Sequence, residues 1–190
     1  MLKIKPIIIV AGEPNSIFSE IFFKVLKKSW FKKFSRPLIL IASSDLILDQ
    51  MKKLGFNFEI RDINSNFLKE FQTIDNTKIN IINVNFKYKS PFDKISSKSN
   101  SYLENCFNIG IDIMNKNLGH ALINGPISKK YFLKGKFLGV TEYLSKKTNK
   151  ENRVAMLIYN KKLSVSPITT HLPLKDVHKN ITKIKIINHV

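Results

Sequence analysis

Strand-like and helix-like segments alternate along this chain of 190 residues, and the alternation predicts an α/β fold built on a parallel sheet. Three observations carry the prediction. Short runs that are apolar at nearly every position, such as Ile7-Ile8-Ile9-Val10 and Leu38-Ile39-Leu40-Ile41-Ala42, suit strands covered on both faces. Both runs end in turn or capping residues, Gly12-Glu13-Pro14 after the first and Ser43-Ser44-Asp45 after the second. The segments that follow them repeat apolar residues at helical spacing.

The first strand spans Ile4 to Val10, and the helix behind it runs from Ser16 to about Phe31, with Ile17, Ile21, Phe22, Val25 and Leu26 on one face and Asn15 or Ser16 as its cap. Pro37 to Ala42 is the second strand. Ser43-Ser44-Asp45 then caps a helix from Leu46 to Leu54 that Gly55 closes. Phe56 to Ile60 and Ile79 to Asn85 read as shorter strands around the mostly polar stretch Asp62 to Lys78, and the sequence leaves their order in the sheet open. A helix from Ser101 to Lys116 follows a loop rich in Ser, Lys and Asn, with Leu103, Phe107, Ile111 and Met114 aligned. Cys106 lies beside that face and reads as a small buried residue, because no base neighbours it to make it a nucleophile. Ala121-Leu122-Ile123 is a strand ending in Asn124-Gly125-Pro126, after which Ile127 to Lys134 begins another helix. Val154 to Tyr159 and Leu163 to Pro167 are expected to form a hairpin turned at Asn160-Lys161-Lys162. Thr182 caps a last helix bearing Ile184, Ile187 and Val190, which reaches the final residue with no stop signal, so the sequence is expected to be incomplete at its C-terminus.

Composition narrows the class. At 43% apolar content the chain can bury a real core. No apolar run approaches the roughly 18 to 20 residues of a membrane helix, and the apolar run near the N-terminus is too short for a signal peptide. The single cysteine, Cys106, suits a reducing compartment, and a cytoplasmic protein is expected. The net charge of +18 raises the possibility of nucleic acid. Yet only Arg36, Arg61 and Arg153 are arginine, and lysine comes with an equally visible excess of Asn, Ile and Phe, which share AT-rich codons. Solvated lysine faces explain the charge better than a nucleic-acid surface does.

Three loops each follow an expected strand and join a special backbone residue to a polar group: Gly12-Glu13-Pro14, Asn124-Gly125-Pro126 with Ser128 and Lys129, and Thr169-Thr170-His171. In open α/β sheets ligands bind beyond the carboxyl ends of the strands, where such loops meet. Singly, each is an ordinary turn sequence. His171 on its own reads as a loop histidine, because a catalytic metal needs about three protein ligands and His120, His178 and His189 offer no partner spacing.

The combination is more specific. Gly12-Glu13-Pro14, then Asn124-Gly125-Pro126-Ile127-Ser128-Lys129, then Gly139-Val140-Thr141-Glu142-Tyr143-Leu144, then Thr169-Thr170-His171-Leu172-Pro173-Leu174-Lys175-Asp176 resemble, in order and spacing, the 4-hydroxythreonine-4-phosphate dehydrogenase family. The resemblance implies an isocitrate/isopropylmalate-dehydrogenase-like α/β fold and a homodimer with active sites at the subunit interface. It implies oxidation of 4-phosphooxy-L-threonine, a small phosphorylated hydroxy-amino acid, with NAD or NADP, then decarboxylation, in pyridoxal phosphate biosynthesis. A divalent metal (zinc, magnesium or cobalt) is implied as well, with His171 as the first of three histidine ligands and Thr141 as a substrate contact. On this reading residues 1–190 are the N-terminal portion, a first α/β domain plus part of the inter-domain region, and the cofactor-binding portion lies beyond it. One departure stands out: where the family has Gly-His-Thr-Glu, this chain has Val140, whose side chain cannot make a hydrogen bond worth about 1.5 to 3 kcal/mol with a charged partner. The alternative reading is an inactive remnant or a basic nucleic-acid-binding protein.

Overall fold

The computed structural model describes residues 4–64, 74–151 and 154–189. The chain divides into two compact units, Met1–Phe132 and Leu133–Val190. The first is built on five strands, β1 (Ile7–Val10), β2 (Leu38–Ala42), β3 (Ile60–Asp62), β4 (Ile79–Asn83) and β5 (Ala121–Asn124), in the order β3-β4-β2-β1-β5. Every neighbouring pair is parallel, with Ile9 beside Leu40 on one side and Ile123 on the other. The expected parallel sheet is present.

Its two faces explain why the central strands are apolar at every position. On one face Ile9, Leu40, Ala42, Ile79 and Ile81 meet Phe22 and Phe23 of α1 (Phe18–Leu26) and Ile47 and Met51 of α2 (Ser44–Lys53). The opposite face carries α3 (Asn100–Asn115), whose Gly110 sits directly over Leu122, Val10 and Ile41. Alternate residues therefore serve opposite cores, and Ile8, Ile39 and Ile41 are fully buried. Burial of each such side chain contributes about 1.5 to 3 kcal/mol, which outweighs the weak helix preference of any neighbouring residue.

Caps fix several boundaries. Ser43 Oγ accepts from Leu46 N at the start of α2, and Gly55, at φ +72°, follows its end with its N–H on Lys52 O. The helix expected over Ser16 to Phe31 is shorter, because Lys28 N turns back to Val25 O, a tighter bond that ends α1, and a separate 3-10 turn forms at Phe31–Lys33. The strand expected at Phe56 to Ile60 lies instead at Ile60–Asp62: Phe56 and Phe58 pack their rings against Phe23, with centroids 5.4 and 6.1 Å away, before the chain enters the sheet. Ile127 to Lys134 yields one π-helical turn, Lys129–Leu133. Part of the stretch between Asp62 and Lys78, residues 65–73, lies outside the described residues.

The second unit holds α4 (Val140–Lys147), α5 (Leu174–Val177) and α6 (Lys183–His189). Thr182 Oγ1 accepts from Lys185 N, the expected cap; Val190 lies outside the described residues. The expected hairpin reduces to one antiparallel bridge, Ile158 with Val165, held by N–H···O bonds of 2.8 and 2.9 Å around a turn in which Lys162 N bonds Asn160 Oδ1. Leu157, Ile158, Tyr159 and Leu163 remain exposed, so no packed face extends the ladder into regular strands. Among the described residues no helix is long and apolar enough to cross a membrane.

Candidate functional site

From β1 the chain moves to β2 on one side and later returns as β5 on the other, with α1 and α2 on one face of the sheet and α3 opposite. The carboxyl ends of β1 and β5 therefore form a topological switch point, the usual place for a ligand in such sheets. Two of the three loops singled out in the sequence meet there. Glu13 N donates to Pro126 O at 2.8 Å and Gly125 N to Val10 O at 2.7 Å. The approach is so close that a Cβ on Gly12, which sits at φ +80°, would collide with the Pro126 carbonyl, and one on Gly125 would collide with the Ala11 carbonyl. Glycine is required at both positions.

Glu13 is the buried polar centre of this junction, 2% exposed. Ser99 Oγ donates to its Oε2 at 2.7 Å, and Asn15 N approaches Oε1 at 3.5 Å. Burial holds its carboxyl above the ordinary range, against the opposing effect of those two hydrogen bonds. Gln50, buried in α2, donates from Nε2 to Pro14 O at 2.7 Å and Pro91 O at 2.8 Å, tying the loop after β1 to the loop before α3. Ser43 N donates to Tyr102 Oη at 3.1 Å. Nearby Cys106 is 1% exposed and its thiol is pushed up to about 12 by burial, partly offset by a bond with Tyr102, so it is the inert packed cysteine expected. The sequence marks Gly12-Glu13-Pro14 as a candidate ligand loop, but it gives no sign of Ser99 or Gln50, which reach the loop from distant positions.

In the second unit, Thr141 in the first turn of α4 and Thr170 line one open cleft of about 1100 Å³, together with Glu142, Met156, Leu172 and His189. Two of the sequence motifs are thus brought together. His171 lies between the lining residues Thr170 and Leu172, is exposed, and adopts φ +58°, a left-handed conformation that costs a non-glycine residue about 1 to 2 kcal/mol. His189 Nε2 lies 2.7 Å from Ser166 Oγ. His120 and His178 are exposed. Among the described residues no group of three or more His, Cys, Asp or Glu side chains is arranged to hold a metal ion. His171 alone does not make a centre. Gly139, the residue before α4, is extended and supplies no side-chain cap, and Val140 opens the helix half-buried.

Fold and site define a doubly wound, parallel α/β unit with glycine-bearing loops meeting at the carboxyl edge of its sheet. Residues 33–190 match the family model described as pyridoxal phosphate biosynthetic protein PdxA, and the chain belongs to that family. It is 35% identical over 185 residues to a 4-hydroxythreonine-4-phosphate dehydrogenase of Sulfurihydrogenibium sp. (strain YO3AOP1), covering 96% of this chain and 54% of the relative. It is 28% identical to the same-named protein of Wigglesworthia glossinidia brevipalpis, over 98% of this chain and 56% of that one. Crystal structures of 4-hydroxythreonine-4-phosphate dehydrogenases from Burkholderia phymatum and Klebsiella pneumoniae superpose with TM-scores of 0.80 and 0.79 at 20% identity, covering 96% and 97% of this chain and 55% and 57% of theirs. These structures share its fold. The chain spans about half the length of the curated relatives it matches.

Proposed function

We propose that this chain supplies the first α/β domain and part of the inter-domain region of a cytoplasmic, homodimeric dehydrogenase that oxidises 4-phosphooxy-L-threonine with NAD or NADP, the product then losing carbon dioxide. The observation that carries the reading is the meeting of Thr141 with Thr170 and Leu172, the two neighbours of His171, at one cleft. Family membership supports it, and so do the printed names of the relatives. Thr141 offers a hydroxyl to the substrate from the first turn of α4, whose N–H groups meet no side-chain cap at Gly139 and so favour an anionic group. Glu142, in the same turn, competes for that positive end. His171 offers one imidazole to a divalent metal, while the described residues do not complete the donor set; its companions come from outside them or from another copy. The exposed apolar side chains of the second unit, including Leu174 and Ile184, suit an interface with such a partner.

The test pairs this chain with the separately expressed C-terminal half of the Sulfurihydrogenibium relative and follows nicotinamide reduction with 4-phosphooxy-L-threonine. Activity is expected only in the mixture, and His171→Ala is expected to lower it by at least about 100-fold. A mixture that folds and associates but stays inactive, or a His171→Ala variant with full activity, overturns the reading. In an active mixture Val140→His is expected to tighten substrate binding about tenfold, the effect of regaining one hydrogen bond to a charged group.

A further inference from the structure

A second cavity, of about 390 Å³, opens between the loop that follows β4 and the start of α3. It lies at the same carboxyl edge of the sheet as the switch point, and Asn15 from the loop after β1 forms part of its wall. Four lysines line it, Lys87, Lys89, Lys94 and Lys98, against a single carboxylate, that of Asp93. Four lysines outside it are ion-paired, Lys24 with Glu20, Lys52 with Asp49, Lys78 with Glu59 and Lys116 with Asp112. None of the four cavity lysines has such a partner among the described residues. Like charges gathered in one concavity repel, and a concave wall concentrates their field more than a convex face does, so the arrangement favours a bound counter-charge.

The wall is fixed rather than loose. Phe86 and Tyr88 stack with centroids 6.4 Å apart, and Phe86 rests on Tyr102 at 4.9 Å. Tyr88 Oη donates to Asp49 Oδ2 at 2.7 Å, Asp93 N donates to Asn15 Oδ1 at 2.9 Å, and Gln50 holds Pro91 O. The loop bearing three of the lysines is thereby tied to α2 and to the loop after β1. A cavity of this size falls within the range of about 300 to 1000 Å³ typical of small-molecule sites.

We propose that this cavity binds a small anion carrying two or more negative charges on phosphate groups, a free phosphorylated metabolite in place of an extended polyanion. The site is separate from the cleft of the second unit and does not depend on the dehydrogenase reading. The experiment is calorimetric titration of the whole chain with inorganic pyrophosphate at low ionic strength, repeated for the charge-reversed pair Lys94→Glu with Lys98→Glu and for a control pair, Lys24→Glu with Lys116→Glu, of equal charge change. Saturable binding at one site is expected, weakened about tenfold or more by the cavity pair and no more than about twofold by the control pair, with circular dichroism showing both variants folded. Lys94→Gln with Lys98→Gln, which removes charge without reversing it, is expected to fall between them. No saturable binding, or equal loss in the cavity and control pairs, overturns the proposal. So does cavity-dependent binding of a random oligonucleotide or of phosphatidylglycerol vesicles without pyrophosphate binding, which would assign the lysines to a macromolecular polyanion.

Discussion

Glu13 shows how a residue that looks like part of a turn becomes a buried carboxyl group. Its main side-chain partner, Ser99, is 86 positions away, so nothing in the local sequence distinguishes it from an exposed turn glutamate. Burial raises its carboxyl above the ordinary value of 4.5 more than the Ser99 and Asn15 hydrogen bonds lower it. The folded chain therefore holds the proton more tightly than the unfolded chain does. The resulting contribution to stability is complete below pH 4.5 and is lost as pH rises through the folded-state value. Glu13→Gln keeps the shape and cannot ionise, so its stability relative to the unsubstituted chain is expected to improve as pH rises from about 4.5 to neutrality. Urea midpoints at several pH values measure this, and a pH-independent difference would show that Glu13 ionises as easily in the fold as out of it. Cys106 gives a second residue-scale expectation: buried and with a thiol at about 12, it should react with a thiol reagent only after denaturant is added. Rapid labelling of the folded chain would contradict its placement. Thr141 and His171 were singled out on a different ground, the order of motifs along the chain.

At the scale of elements, what could be read in advance was whatever depends on near neighbours. The apolar strand β2, the Ser43 cap and Gly55 stop of α2, and the Thr182 cap of α6 are local devices and stand where their residues predicted, while β1 ends at Val10 as expected but begins at Ile7 instead of Ile4. The position of β3 was not local. Phe56 and Phe58 alternate with polar residues as a strand would, but Phe23, more than thirty positions earlier, takes their rings. Strand order likewise depends on which loops can meet, and the meeting of β1 and β5 rests on glycine. Gly125→Ala pushes a methyl group into the Ala11 backbone, which cannot rotate away as a side chain would, so a loss of roughly 3 kcal/mol is expected. Gly55→Ala meets open space and bears only the left-handed penalty of about 1 to 2 kcal/mol. Denaturation of the two variants side by side decides the matter, and equal losses would mean that the two loops do not approach as closely as described.

For the whole molecule, the two units differ in how completely they bury their own apolar residues. The first closes both faces of its sheet, with Phe23, Ile39, Ile41, Ile81 and Phe107 wholly or almost wholly inside. The second leaves Leu174 90%, Tyr159 73%, Ile184 71% and Leu163 70% exposed, and its bridge between Ile158 and Val165 rests on two backbone bonds. Composition could not reveal this asymmetry, because apolar residues are spread evenly along the sequence and only packing separates those that find partners within the described residues. A segment with few buried contacts and few protected backbone bonds opens at low cost in free energy, and proteolysis reports that opening. Brief trypsin treatment is therefore expected to cut first after Lys161 or Lys162, in the exposed turn of the bridge, while a fragment spanning the first unit persists. Mass spectrometry of the earliest products identifies the bonds cut. Early cleavage within β1, β2 or α3, with the turn at Lys161 left intact, would mean that the second unit is the better-closed of the two.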